Sequence, residues 1–323
     1  MRKLRSLLFL LALVPLVVIT ACKDEDDPLP ITDDFNTLKT YLVSSGLDLP
    51  DGLNGWITTA PADIGEVDAW ADSYYIIDIR QPADYTAGHV KGAVNTTLGN
   101  ILTEAGNAGA KPILVVCYTG QSAGHAVVAL RLSGYADAKV LKWGMSGWNN
   151  ANAGPWESNI GSSAVGSGKW IKPMDVAPNQ AFEYPSLNTI SSDGPGILAE
   201  RVQALLSNGF KGVEHDAVLA NPGNYFVNNY WAESDTEHYG HIEGAFRVNP
   251  LSFSAGTFKN INPDKPAVTY CWTGQTSSMI TAYLTVLGYD AVSLMNGANS
   301  MIYDELQGHK WAPIAVDLPV VQN

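Results

Sequence analysis

Apolar residues along this chain fall into two alternating patterns. Short continuous apolar runs, as in 112–116 and 266–270, are bounded by turn residues and read as buried strands. Between them, apolar positions recur at helical spacing: Phe35, Leu38, Leu42 and Val43 before Gly46; a segment from about 124 to 132 closed by Gly134; and Leu198, Val202, Leu205 and Leu206. The run Tyr74-Tyr75-Ile76-Ile77-Asp78-Ile79-Arg80 reads as another strand, as do 139–141 and 291–294. Strands alternating with helices predict a parallel sheet covered on both faces.

The pattern occurs twice. Phe210 is expected where Trp56 stands, Tyr225-Phe226-Val227 where Tyr75-Ile76-Ile77 stands, and Gly240-His241-Ile242-Glu243-Gly244-Ala245 where residues 88–93 stand. In the second copy the turn after that strand reads Asn228-Asn229-Tyr230-Trp231 and is about two residues longer. Cys117-Tyr118-Thr119-Gly120-Gln121-Ser122-Ala123 returns 154 positions on as Cys271-Trp272-Thr273-Gly274-Gln275-Thr276-Ser277 (271 against 117). Such a repeat predicts duplication of one α/β unit.

Each cysteine is predicted on a loop between a strand and a helix. Small and hydroxyl residues there let successive N–H groups point inward while the helix start adds its positive end, which makes a nest for an anion. A free thiol with a pKa of about 8.5 is roughly 3% ionised at neutral pH, and a drop of about two units makes the nucleophilic thiolate the majority form. The same donors would hold a persulfide, Cys–S–S⁻. A cysteine phosphatase or arsenate reductase would need an arginine closing a longer loop, and Ala123 and Ser277 stand at that position.

The N-terminus changes the compartment. Arg2, Lys3 and Arg5 precede an apolar run over 7–19 that is shorter than the roughly 20 residues a bilayer needs, so 1–21 reads as a signal peptide. Ile19-Thr20-Ala21-Cys22 resembles a bacterial lipobox, which implies that Cys22 is the lipid anchor of a lipoprotein. Residues 22–34 then form an acidic tether, and its Lys23-Asp24-Glu25-Asp26-Asp27 run resembles the surface-export signal of Bacteroidetes lipoproteins. The expected location is the bacterial cell envelope, lipid-anchored at the outer membrane and either periplasmic or surface-exposed. Net charge is −13 and becomes −16 (16 Lys+Arg against 32 Asp+Glu) once the three leader cations leave, which excludes nucleic acid and anionic lipid as general partners. With Cys22 committed to lipid, Cys117 and Cys271 remain, and their equivalent positions favour two free thiols over a disulfide.

Ile77-Asp78-Ile79-Arg80, then Gly88-His89-Val90 with Gly92-Ala93, then Cys-x-x-Gly-x-Ser, then Val140-Leu141 with Gly144 and Trp148, stand in the order and spacing of a rhodanese domain, and the mature chain resembles a tandem rhodanese. The resemblance implies an α/β fold of two tandem rhodanese-like domains, each a parallel sheet with helices on both faces. These are placed at 35–156 and 191–323, with a Gly-, Asn-, Ser- and Pro-rich linker over 157–190. It further implies a rhodanese-type sulfurtransferase with no metal and no organic cofactor. Cys117 and Cys271 would accept sulfane sulfur as a persulfide and pass it to a thiol or cyanide. The loop amides of Tyr118, Thr119, Gly120, Gln121, Ser122 and Ala123, and of Trp272, Thr273, Gly274, Gln275, Thr276 and Ser277, would hold it. Ser122 and Thr276 match the hydroxyl position of thiosulfate and mercaptopyruvate sulfurtransferases. Many loops of the family carry Arg or Lys beside the cysteine. Here Tyr118, Gln121, Trp272 and Gln275 stand instead, so a persulfide, polysulfide or protein-thiol donor is expected over thiosulfate.

Other marked residues carry structural expectations. His89 and His241 sit in Gly-His-x-x-Gly-Ala turns, His125 lies on a helix face, and Asp78 with Arg80 forms a strand-end pair. Trp143, Trp148 and Trp311 are assigned to packing, and Tyr118 and Trp272 to the rims of the sites. The alternative function is a non-catalytic binding or redox-sensing module on the envelope, distinguished from an enzyme by turnover.

Overall fold

The computed structural model describes residues 33–172 and 176–322. The expected leader, Cys22 and most of the expected acidic tether lie outside them. Among the described residues no helix is long and apolar enough to cross a membrane.

The described residues build two parallel sheets and a small antiparallel pair. Its strands in order are β1 (Ile57–Thr58), β2 (Tyr75–Asp78), β3 (Val94–Asn95), β4 (Ile113–Val116), β5 (Lys139–Leu141), β6 (Trp170–Ile171), β7 (Gly212–Val213), β8 (Phe226–Asn229), β9 (His241–Ile242), β10 (Ala267–Tyr270) and β11 (Ala291–Leu294). The first sheet runs β1-β5-β4-β2-β3 and the second β7-β11-β10-β8, while β6 pairs antiparallel with β9. Both faces of the first sheet are buried, as its unbroken β-branched runs require. Ile77, Val115 and Val140 point to one core, and Ile76, Leu114, Val116 and Leu141 to another. The fold is thus α/β with two rhodanese-like sheets, as the resemblance implied.

Four long helices meet over one shared core: α1 (Asp34–Ser44), α2 (Gln121–Leu132), α3 (Gly194–Asn208) and α4 (Gln275–Val286). Helices α2 and α4 follow the two cysteine loops and pack on each other, Gly124 lying so close to Ser278 and Met279 that a Cβ would collide.

Strand register corrects three expectations. Phe226, not Tyr225, pairs with Ala267 as Tyr75 pairs with Ile113, so Asn228, Asn229 and Trp231 are the counterparts of Ile77, Asp78 and Arg80. The turn that follows is one residue longer in the second copy, not two (Asn229 to Gly240 against Asp78 to Gly88). Lys211, whose carbonyl accepts from Ser293 N–H, stands where Trp56 accepts from Val140, so Phe210 is displaced by one. Aromatic identity suggested the alignment, but ladder position decides it.

The halves also exchange segments, so each packs against part of the other. Helix α1 docks on second-half elements: Phe35 stacks on Tyr184 at 4.3 Å, and Asp34 Oδ2 accepts from the Thr189 N–H and hydroxyl. Asp48 Oδ2 accepts from Ser252 Oγ at 2.7 Å and from the Phe253 and Ser254 N–H groups. The C-terminal tail crosses the other way. Leu318 is buried in the first-half core, Trp148 Nε1 donates to Pro319 O, and Val321 exchanges both backbone hydrogen bonds with His89. Residues 157–172 dock on the second half, with Ala164 in its core and Trp170 in β6.

Candidate active site

Both cysteines end a central strand and precede the N-terminus of a helix. Gly120 and Gly274 take φ of 82° and 75°, a left-handed turn that glycine enters without steric cost, and each swings the loop into its helix. Trp143 (φ 67°) and Asn296 (φ 58°) adopt the same unusual conformation at equivalent places in the following strand–turn. They bring Gly144 and Gly297 against the cysteine carbonyls, which accept from Met145 and Ala298 N–H at 2.8 and 3.0 Å. The loops are therefore held from behind by backbone.

The thiols are free and buried, 5% exposed at Cys117 and 2% at Cys271. Gly120 N–H points at Cys117 Sγ at 3.1 Å, and Ser277 N–H at Cys271 Sγ at 3.3 Å. The amides of Gln121, Ser122 and Ala123 precede the first intrahelical bond of α2, Gly124 N–H to Gly120 O, and so belong to the nest. The half-buried hydroxyls of Ser122 and Thr276 make no hydrogen bond among the described residues. Thr273 Oγ1 accepts from Gln275 N–H at 3.3 Å and engages one amide of the second nest.

Each glutamine side chain touches its own loop with one end, Gln121 Nε2 donating to Thr119 Oγ1 at 3.1 Å and Gln275 Oε1 accepting from Thr273 Oγ1 at 3.4 Å, and reaches the other copy with the other end. Gln121 Oε1 accepts from Asn296 N–H at 2.9 Å, against Gly274 of the second loop, and Gln275 Nε2 donates to Thr119 O at 3.0 Å, against Gly120 of the first. Each loop is thus buttressed by the other copy, which neither copy alone could reveal.

The rims differ as well. Arg80 forks onto Asp78, with Nη2 to Oδ2 at 2.7 Å, reaches Gly88 O, and lies 5.1 Å from the Tyr118 ring centre. A cation does stand beside the first loop, then, but its charge is already paired. Burial, then the hydrogen bond to Asp84, hold the Tyr118 phenol above its ordinary pKa. In the second copy Trp231 replaces Arg80 and stacks on Trp272 at 4.1 Å, while His309 stacks at 5.1 Å, so Trp272 is sandwiched rather than free. Burial raises the Tyr230 phenol above its ordinary pKa.

The three histidines marked in the sequence hydrogen-bond backbone carbonyls. His89 stacks on Tyr85 at 3.8 Å and meets its carbonyl, and His241 Nδ1 faces Ile242 O. His125 turns to α3, its Nε2–H donating to Leu205 O at 3.3 Å, and burial lowers its pKa to about 4. Trp148 and Trp311 are buried, and Trp143 packs edge-on against Trp156. Among the described residues no cluster of His, Cys, Asp or Glu suits a metal ion.

Residues 63–151 and 227–302, just over half the chain, match the Rhodanese-like domain family. The chain is a tandem member of that family. Among its rhodanese relatives, thiosulfate sulfurtransferase GlpE of Shewanella oneidensis is 38% identical over 84 residues, which are 26% of this chain and 83% of that protein. GlpE of Pseudomonas entomophila is 32% identical over 85 residues, covering 26% and 78%. The uncharacterized YibN of Escherichia coli is 34% identical over 83 residues, and the match spans 24% of this chain and 57% of YibN. The solved thiosulfate sulfurtransferase of Pseudomonas aeruginosa aligns over 89% of this chain and 49% of its own, at 14% identity and a TM-score of 0.27, a likeness too faint to add to the fold assignment.

Proposed function

We propose that this tandem rhodanese moves sulfane sulfur through persulfides on Cys117 and Cys271, from a persulfide or polysulfide donor to a thiol or cyanide. The observation that carries this reading is the pair of buried thiols, each with a loop amide aimed at Sγ, at 3.1 and 3.3 Å, before a helix N-terminus. The thiolate attacks the outer sulfur of R–S–SH; the donor's S–S bond breaks, its electron pair leaves on R–S⁻, and Cys–S–SH forms. An acceptor thiolate then attacks that outer sulfur and the cysteine leaves as thiolate. No oxidant or reductant is consumed, and the loop amides stabilise the charge on sulfur at both ends of the cycle.

The donor reading follows from charge. Arg80 is committed to Asp78, and the second loop has Trp231 at the equivalent place, so a thiosulfate dianion meets amides and helix dipole with no free cation to offset the loss of its hydration. The GlpE relatives are named for thiosulfate, which makes it the donor to compare. We further propose that Cys22 anchors the mature chain by lipid in the bacterial cell envelope, which radiolabelled fatty acid incorporation lost on Cys22→Ser would support.

The test is the intact mass of the soluble chain from Lys23, reduced and then given polysulfide or thiosulfate, beside Cys117→Ser and Cys271→Ser. One sulfur per remaining cysteine, removed by cyanide, is expected with polysulfide. Absence of any adduct would leave a non-catalytic envelope module as the reading.

A further inference from the structure

The floor beneath the two thiols differs in one consistent way. On the first sheet the positions facing α2 around Cys117 are Ile77, Val115 and Val140, with Ala123 on the helix, all apolar and in the shared core. Register places Asn228, Thr269 and Ser293 at the equivalent positions of the second sheet, side by side on adjacent strands, and Ser277 replaces Ala123. All four are 0% exposed. Neighbouring strands lie about 4.8 Å apart, so the three strand residues form one continuous polar row.

The row ends at the sulfur. Ser277 Oγ lies 3.6 Å from Cys271 Sγ and 2.9 Å from Ser293 Oγ, and it also reaches Gly274 O at 3.2 Å. Farther along, Asn228 Oδ1 accepts from Val248 N–H, while Asn228 Nδ2 and Thr269 Oγ1 are buried without a partner. Buried polar atoms of that kind are satisfied by an internal water. The first half shows that this fold packs the same four positions with hydrocarbon, so the sheet itself does not require the polar set.

We infer that Ser277 is a catalytic residue of the second site, its hydroxyl donating to Cys271 Sγ whenever that sulfur carries charge, with Ser293 a positioning residue. This rests on the sulfur-transfer reading above. While Cys271 is a thiol, S–H donates to Ser277 Oγ and the serine donates to Gly274 O or Ser293. When Cys271 attacks the outer sulfur of R–S–SH, or leaves from Cys271–S–SH as the acceptor thiolate attacks, the serine O–H rotates onto Sγ. No proton leaves the serine. The second site thereby has a side-chain donor where Cys117 has only amides, and it is the preferred carrier of sulfur.

The experiment measures iodoacetamide labelling of Cys271 relative to Cys117 in the same molecule at pH 7, by peptide mass, and the division of one equivalent of polysulfide sulfur between them. Ser277→Ala, the residue the first half carries, is expected to lower the Cys271:Cys117 labelling ratio about tenfold. Ser277→Thr should restore it, and Ser293→Val should lower it partway. Sulfur in the natural chain should lie mainly on Cys271 and spread evenly in Ser277→Ala. A ratio unchanged by Ser277→Ala, or equally lowered by Ser277→Thr, overturns the assignment. Should Ser277→Ala not fold, the Ser277→Thr and Ser293→Val ratios decide. Labelling is read without any sulfur donor, so failure of both cysteines to take sulfur would count against the transfer reading while the ratio still judges Ser277.

Discussion

Asp78 and Arg80 are the clearest case of a charge that the fold buries on condition that it stays paired. The carboxylate is fully enclosed and takes two guanidinium nitrogens, so removing Arg80 alone leaves a bare buried anion. Arg80→Met should cost about 3–5 kcal/mol in urea unfolding, whereas Asp78→Asn together with Arg80→Met should return to within about 2 kcal/mol of the natural chain. The second copy already carries the neutral solution, Asn229 and Trp231. At this scale the sequence was readable where chemistry is local: the two cysteines, the glycine three residues after each, and the strand-end pair. The cross-copy partners of Gln121 and Gln275, Asn296 and Thr119, were not legible because they lie at sequence distances that no local pattern encodes.

Among the elements, the contact of α2 with α3 is pH-sensitive. His125 is neutral in the folded protein, with a pKa of about 4 against about 6.5 when unfolded, because its imidazole is buried against Leu205. The unfolded chain binds the extra proton first as pH falls, so stability is full above about pH 6.5 and declines towards pH 4, by up to about 3 kcal/mol. His125→Gln should flatten that slope in urea midpoints taken at pH 7 and 4.5; an equal slope in both proteins would point to another group. The helices and strands themselves were legible from periodicity, since α2, α4, β4 and β10 carry strong apolar patterns. The second-half alignment slipped by one residue because Tyr225 and Phe210 mimic the aromatic identities of Tyr75 and Trp56, and only hydrogen-bond register separates the alternatives.

For the whole molecule, the exchanged segments predict effects at a distance. Gln121→Ala lies in the first half but strips Asn296 N–H of its buried acceptor, so it should destabilise by about 1–3 kcal/mol and slow sulfur uptake at Cys271. Ending the chain at Trp311 removes second-half sequence, yet it takes Leu318 out of the first-half core and frees His89. Hydrogen exchange should quicken in β2 and β4 by the equivalent of about 3 kcal/mol, with β10 less affected. The crossed packing was not legible from the repeat, since a tail that crosses to the other sheet shows only as a few apolar residues, Leu318 among them, in an otherwise unremarked stretch.

The crossed ends have a mechanical meaning. Helix α1, at the start of the described chain, is seated on the second half, and the tail, at its end, is seated on the first. A pull between residues 33 and 322 therefore does not peel one sheet away from the other; it tightens each end across the seam and loads both cores in shear. Stretched between a bead and a surface, the molecule should give way in one cooperative rip, and a chain ending at Trp311 in two smaller ones. Under load the chain would in this way keep both of its cysteine loops intact, or lose them together.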